Sequence, residues 1–189
     1  LSTTTADTDR WTFTFESGPF VTAAASSVQF LVETPTGRGP VDYETIEYGH
    51  DDYEALAARV TWEVMGAISL GASSKVGGTM RSQETITTGA SARCGRLEAS
   101  GAITLGASAA SGPLIGNAAI TVGAGASCGP IRAGAAISVG GGATISILRT
   151  GAATTVGAGV ECDSGPAYWL VSAQCLCDTN KYTTEDCAD

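Results

Sequence analysis

Apolar residues return at a fixed interval through the middle of the chain, in two separate columns. The interval is constant in the second column, and in the first column only the step from Ile68 to Ile86 is one position longer than the others. The members are Ile68, Ile86, Ile103, Ile120 and Ile137 in the first column, which Thr154 continues into a sixth unit, and Met80, Leu97, Leu114, Ile131 and Leu148 in the second. Two columns that keep the same interval indicate six repeated units stacked over residues 66–160.

Each unit alternates apolar with small or polar residues before the chain turns. In the third unit Ile103 and Leu105 are separated by Thr104, and this period of two predicts a half-buried β-strand. Gly106 then permits a turn, and Gly112-Pro113 marks another turn before the second apolar site. We therefore predict an all-β fold in which 17-residue, two-strand repeats stack as a fibrous β-array.

Two architectures are compatible with these repeats. In a single-chain β-solenoid each unit is one coil, whereas in an intertwined trimeric fibre three chains share one core. About two apolar residues per unit would give a single chain a thin core, and stability comes mainly from buried apolar area. The sequence therefore favours a homotrimer, and the solenoid stays open as the alternative.

The repeats are similar to those of a known class of protein. Units such as residues 100–106 (SGAITLG) resemble the short repeats of viral fibre shafts of the triple β-spiral type, and phage tail and head fibres use similar arrays. The resemblance covers about half of the chain, although the units here are richer in glycine and alanine. It implies a repetitive fibre or spike protein of a virus or phage.

The two ends of the chain differ from the array in composition and charge. Residues 1–65 contain eleven acidic and three basic residues, and they predict a small β-rich attachment or capping domain with one short helix over 51–58. Residues 161–189 contain six acidic residues and four of the six cysteines, and they predict a cysteine-rich cap. Caps are expected because the open end of stacked strands promotes aggregation.

Six cysteines, an even number, favour disulfide bonding outside a reducing cytosol. Cys94, Cys128 and Cys162 follow one another at twice the repeat interval, so they share one column of the array. Two coils apart they would be about 10 Å from one another, which exceeds the ~7 Å that a disulfide allows between Cα atoms. We therefore expect these three to pair with cysteines of the tail or of a neighbouring chain. The tail cysteines are Cys175, Cys177 and Cys187.

The sequence contains no recognisable catalytic or cofactor motif. Cys175 and Cys177 lack the spacing of a zinc site, and no histidine is near them in sequence. His50 stands beside Asp51 and Asp52, a set that could bind a metal ion or act as a base, but a solvated helix start is the simpler interpretation. The array also lacks the pair of carboxylates that glycoside hydrolysis needs. We therefore expect a non-enzymatic protein with no cofactor and no metal.

A third column places one hydroxyl residue in every unit. It comprises Ser69, Thr87, Thr104, Thr121, Ser138 and Thr155. Because these residues alternate with apolar ones, we expect them to line one outer face of the array. Such a polar ladder is compatible with a plain polar face that stabilises the stack, and also with a surface that matches ordered water, as in ice-binding solenoids.

These patterns favour a structural component of a virion or extracellular appendage, such as a fibre, spike or decoration protein. The array would be a rigid spacer, and the N-terminal domain would dock on a larger assembly. The alternative is a secreted adhesive or ice-binding β-solenoid that uses the polar ladder.

Nucleic-acid binding is disfavoured because six basic residues spread over residues 66–160 make no patch. Membrane insertion is disfavoured because Gly-Pro pairs interrupt the uncharged stretch.

Overall fold

A 17-residue unit is long enough for three short strands and the turns between them. The structure, a computed structural model, describes residues 2–7, 10–34, 42–48, 51–162, 168–171 and 174–177. Over residues 60–162 six coils stack with their strands in parallel register, so the predicted stacking of 17-residue repeats is confirmed and takes the form of a single-chain β-solenoid. Each coil contributes one strand to each of three sheets, which we call faces A, B and C.

The strands of the three faces follow one another along the rod in a fixed order. Face A contains β1 (Ser2–Asp7), β2 (Arg10–Phe15), β6 (Val60–Val64), β9 (Thr79–Ser82), β12 (Leu97–Ala99), β15 (Leu114–Gly116), β18 (Ile131–Ala133) and β21 (Leu148–Thr150). Face B contains β3 (Phe20–Val21), β7 (Ile68–Leu70), β10 (Ile86–Thr88), β13 (Ile103–Leu105), β16 (Ile120–Val122), β19 (Ile137–Val139) and β22 (Thr154–Val156). Face C contains β8 (Lys75–Val76), β11 (Arg93–Cys94), β14 (Ala110–Ser111), β17 (Ser127–Cys128), β20 (Thr144–Ile145) and β23 (Glu161–Cys162). All neighbouring strands within these faces are parallel except β1, which pairs with β2 in the antiparallel direction.

The repeat has three strands, where the sequence predicted two. The additional strand is the one on face C, which is only two residues long in every coil. Its inward-facing residue changes type from coil to coil, so it forms no apolar column that could be detected from the sequence. These positions are occupied by Val76, Cys94, Ser111, Cys128, Ile145 and Cys162.

The core of the solenoid runs along its axis and is built by a single chain. All ten residues of the two predicted apolar columns are buried, with exposed fractions of 5% or less. A row of fully buried alanines and further Leu and Val side chains add to them, so each coil buries more than the two residues that the sequence suggested. The alanines are Ala92, Ala109, Ala126 and Ala143. The thin-core reason for expecting three intertwined chains therefore no longer applies.

The solenoid begins before the first repeat that the sequence revealed. In face A Trp11 pairs with Val60, in face B Phe20 pairs with Ile68, and Ser27 forms a bridge to Lys75 of face C. Residues 10–28 therefore make one additional coil, whose inner side is filled by aromatic rings. Part of the segment assigned to an N-terminal domain thus belongs to the rod, and the predicted boundary at residue 65 lies inside a coil.

A short excursion separates this additional coil from the six that follow. It contains an antiparallel hairpin, β4 (Phe30–Thr34) and β5 (Asp42–Ile46), and the helix α1 (Tyr53–Ala57). The helix was expected over residues 51–58 and is one turn long, with Tyr53 and Ala57 buried on its inner side. At the other end of the chain β24 (Tyr168–Val171) and β25 (Gln174–Cys177) form a second antiparallel hairpin.

Glycine follows the face-B strand in each of the six repeated coils because successive coils come too close there for a side chain. A Cβ atom built on Gly123 would lie 2.6 Å from the backbone nitrogen of Ala107 in the preceding coil. The turn that follows contains a residue with positive φ in every coil, which is Ser108 (54°) in one coil and Gly125 (64°) in the next. These two requirements explain why small residues dominate this corner of the rod.

Candidate functional surface

The three faces differ sharply in the charge that they present to solvent. Faces A and C contain Arg, Lys and Glu side chains, whereas no strand of face B contains a charged residue. The outward positions of face B in the six repeated coils hold no side chain larger than Thr. The outer side of the face-B strands is therefore uncharged along the whole described rod, and in the six repeated coils it is built from small side chains.

The hydroxyl residues predicted from the sequence form one column on the outer side of face B. Each pairs directly with its equivalent in the next coil, and all six are exposed. They are Ser69, Thr87, Thr104, Thr121, Ser138 and Thr155. The hydrogen-bonded register spaces them by one strand separation, about 4.8 Å. Val21, which is 64% exposed, continues the same column into the additional coil.

A second outward column, which was not predicted, lies beside the first. Its members lie one position before the inward residue that begins each face-B strand. The pleat of the sheet therefore directs them to the same side as the hydroxyls. They are Ala67, Thr85, Ala102, Ala119, Ala136 and Ala153, and all are at least partly exposed. The signal was present at the same interval as the other columns, but alanine is so common in this chain that the column does not stand out.

The outer side of face A is charged, and its first half is neutralised by ion pairs. Arg81 lies between two acidic neighbours, with its Nη1 atom 3.4 Å from Glu63 Oε1 and its Nε atom 2.9 Å from Glu98 Oε2. Arg96 also pairs with Glu98. The hydrogen bond to Glu98 raises the pKa of Arg81 above its ordinary value, so this guanidinium stays charged at any pH at which the protein folds.

Two of the three face-C cysteines for which the sequence predicted a disulfide, Cys94 and Cys128, are instead free thiols inside the rod. Cys128 is buried and Cys94 is partly buried, and burial raises the pKa of each thiol to about 12. Thiols with such a pKa are poor nucleophiles and poor metal ligands at neutral pH. Cys162, at the end of the same column, is not a free thiol.

The other residues predicted for disulfide pairing or metal binding lie in the tail or next to α1. Cys175 and Cys177 lie on β25, and Cys187 falls outside the described residues, as does His50. Asp51 and Asp52 are exposed at the start of α1. Within the described residues no group of three or more His, Cys, Asp or Glu side chains is arranged to hold a metal ion.

No helix among the described residues is long and apolar enough to cross a membrane.

Face B offers hydroxyl and methyl groups at regular spacing, with no titratable group for proton transfer. It can bind a partner through shape and hydrogen bonds alone.

Comparison of the chain with models of protein families, with curated proteins and with solved structures gives no match.

Proposed function

We propose that the protein is a secreted, non-enzymatic β-solenoid that binds ice through face B. The observation that supports this function is the exposed hydroxyl column, in direct register from coil to coil, on a face whose strands carry no charge. Ice presents water molecules at regular intervals, so a surface that holds water in place must itself be regular. Face B meets this condition because its outward columns repeat at a constant spacing along the rod and lie at a constant spacing across each strand.

The spacing of the outward side chains on face B is set by the backbone. Along the rod, neighbouring hydroxyls are about 4.8 Å apart, and across a strand the two outward columns are about 6.6 Å apart because they are separated by two residues. Hydroxyl groups can hydrogen-bond to water, while the methyl groups of Ala and Thr occupy the spaces between them. The strands of face B contain no charged groups, which would bind their own hydration shells strongly.

The solenoid holds these groups rigidly before any contact is made. Ile103 and Leu105, which flank Thr104 on the same strand, are fixed in the core with 1% exposure or less. The strand also forms backbone ladders to both neighbouring coils. A surface that is already ordered loses little conformational entropy when it binds, and this pre-organisation increases affinity.

Thermal hysteresis of the purified protein tests this function. Thr121→Lys places a long charged side chain in the middle of face B, and we expect it to abolish the hysteresis that the wild-type protein shows. Ser127→Lys is the matched control, since Ser127 is exposed on face C of the same coil. Absence of hysteresis and of ice shaping in the wild-type protein, at concentrations up to about 1 mM, would exclude the proposal.

A second candidate function is that of a rigid spacer in a virion or extracellular appendage. It is favoured by the modular stacking of equal coils, which fixes the length of the rod at about 4.8 Å per coil. In this proposal the N-terminal excursion attaches the rod to a larger assembly, and the chain associates with itself as a homotrimer. Mass spectrometry of purified particles, together with light scattering of the isolated protein, tests both points. A monomer that is missing from particles contradicts the spacer function.

A further inference from the structure

We propose that the corner between faces A and B is an interface through which two copies of the chain pair side by side in opposite directions. One residue follows each face-A strand of the six repeated coils, and the parallel register of these strands aligns the six residues along the rod. We call them the corner column. They are Met65, Gln83, Ser100, Asn117, Gly134 and Gly151, and all six are exposed.

The side chains of the corner column are large at one end of the rod and absent at the other. Met65, in the first repeated coil, is 51% exposed, and Val21 is the only other exposed large apolar residue among those whose exposure the structure describes. In the last two coils the column consists of Gly134 and Gly151, which border a shallow groove open to solvent. The corner therefore carries an apolar projection at one end and a depression at the other.

Two copies that run in opposite directions match these two ends. With a two-fold axis midway between the third and fourth repeated coils, Met65 of one copy faces Gly151 of the other. In the same way Gln83 faces Gly134, and Ser100 faces Asn117. Each of these contacts occurs twice in a two-fold dimer, and a side chain that fills a gap on the other surface gives the close packing of a specific interface. A parallel pairing would instead oppose Met65 to itself and leave a gap at the glycines.

The charges along the corner have the same self-complementary arrangement. Glu84, in the second repeated coil, is exposed and has no ion pair within the described part of the chain, whereas the nearby Arg81 is neutralised by Glu63 and Glu98. In the fifth coil Arg132 is exposed beside the corner, and it too lacks an ion pair among the described residues. The antiparallel arrangement brings the second coil of one copy level with the fifth coil of the other. Glu84 and Arg132 thus meet as opposite charges, which favours this orientation.

The corner column spans about 24 Å, because it covers five strand separations. A contact of this length buries less area than a standard protein interface, so we expect a reversible dimer. A two-fold axis perpendicular to both rods and to the line between them leaves face B of both copies on the same side. The hydroxyl columns remain open to solvent, and the dimer can be tested without reference to ice binding.

Sedimentation velocity of the full chain, over about 10 μM to 1 mM, tests the interface. We expect an equilibrium between monomer and dimer. Glu84→Arg and Arg132→Glu each place like charges opposite one another, and each should raise the dissociation constant at least about tenfold. The double variant Glu84→Arg/Arg132→Glu has opposite charges again, so it should regain most of the wild-type affinity.

A further variant tests the packing separately from the charges. A Cβ atom on Gly151 meets no other atom of its own chain within 4 Å, so Gly151→Gln fits the fold, but its side chain fills the space that Met65 of the other copy needs. It should weaken the dimer by a similar factor. Arg93→Glu is the control, since it makes the same charge change on face C and should leave association unchanged.

Circular dichroism should show that all of these variants are folded, because the replaced positions are on the outer surface. A wild-type protein that stays monomeric over the whole concentration range, or that forms a trimer, overturns the proposal. So does a double variant that associates as weakly as either single variant, or an equal loss in Arg93→Glu.

Discussion

The hydroxyl oxygen of Tyr53 accepts a hydrogen bond of 3.1 Å from the backbone amide of Gly77, and this contact joins α1 to the first repeated coil. That coil has one residue more than the next between faces C and A, because four positions lead from Val76 to Met80 but only three from Cys94 to Leu97. The extra residue makes room for the helix. A Cβ atom on Gly77 would lie 2.6 Å from the methyl group of Ala57, so glycine is required there.

We expect Tyr53→Phe to lower the free energy of unfolding by about 1–2 kcal/mol, because the buried amide of Gly77 loses its acceptor while the ring is kept. Urea denaturation measures the change. Tyr48→Phe is the control, since the Tyr48 ring packs against Tyr53 and lies 5.3 Å from the Lys75 ammonium. Equal stability of wild type and Tyr53→Phe would show that the excursion does not depend on this hydrogen bond.

The one lengthened step of the repeat, from Ile68 to Ile86, shows how far the sequence alone could go. The sequence alone showed that the first coil contains an additional residue. The reason for that residue is a tertiary contact with Tyr53, which no periodicity reveals. The additional coil at residues 10–28 was hidden for a similar reason. Its core residues are aromatic, with Trp11 and Phe20 in place of Ile and Leu, and the excursion separates it from the next coil.

The candidate surface was predicted in part. Serine and threonine that recur at the repeat interval are unusual enough to indicate an exposed column, and Thr104 lies where the alternation placed it. The absence of charge across all of face B could not be read in this way. It depends on which of three strands each Arg and Glu occupies, and the face-C strand was not recognised.

Steric crowding between coils predicts that Gly123→Ala is strongly destabilising. The added methyl group would meet the backbone of Ala107, which cannot move without breaking the ladder between the coils. We expect a loss of about 2–4 kcal/mol in chemical denaturation, a size typical of overpacking a rigid interior. Gly151→Ala is the matched control, because its Cβ atom would meet no other atom within 4 Å. Equal effects of the two changes would refute the crowding.

The free thiols predict a loss of stability at alkaline pH. Burial raises the pKa of Cys94 and of Cys128 from 9.0 to about 12, so both stay neutral in the folded protein at a pH where the unfolded chain ionises. Their contribution is therefore fully present below pH 9 and is lost between pH 9 and about 12. Urea denaturation at intervals across this window measures it. Cys94→Ala/Cys128→Ala should show a shallower decline, and an unchanged slope would contradict the assignment.

Peptide mapping without reduction tests the disulfide prediction for Cys162. We expect its peptide to be linked to one that contains Cys175, Cys177 or Cys187, and we expect Cys94 and Cys128 to react with iodoacetamide only after unfolding. Mapping of a fully reduced sample is the control for incomplete digestion. A disulfide that includes Cys94 or Cys128 would contradict the placement of these thiols inside the rod.

Thr154 occupies the inward column that isoleucine fills in the five preceding coils, and its Oγ1 atom is buried without a hydrogen-bond partner among the described residues. An unpaired buried hydroxyl costs stability because it has given up its bonds to water. Thr154→Val has the same shape without the hydroxyl, and we expect it to raise the free energy of unfolding by about 1 kcal/mol in urea denaturation.

The neighbouring residue Thr155 supplies the control for this change. Its side chain is exposed on the outer side of face B, so Thr155→Val should alter stability by less than about 0.5 kcal/mol. If Thr155→Val stabilises the protein as much as Thr154→Val does, the gain comes from the β-propensity of valine and the orphaned hydroxyl is irrelevant. The same Thr155 variant removes one hydroxyl from the candidate ice-binding column, so its thermal hysteresis should fall while its fold is unchanged.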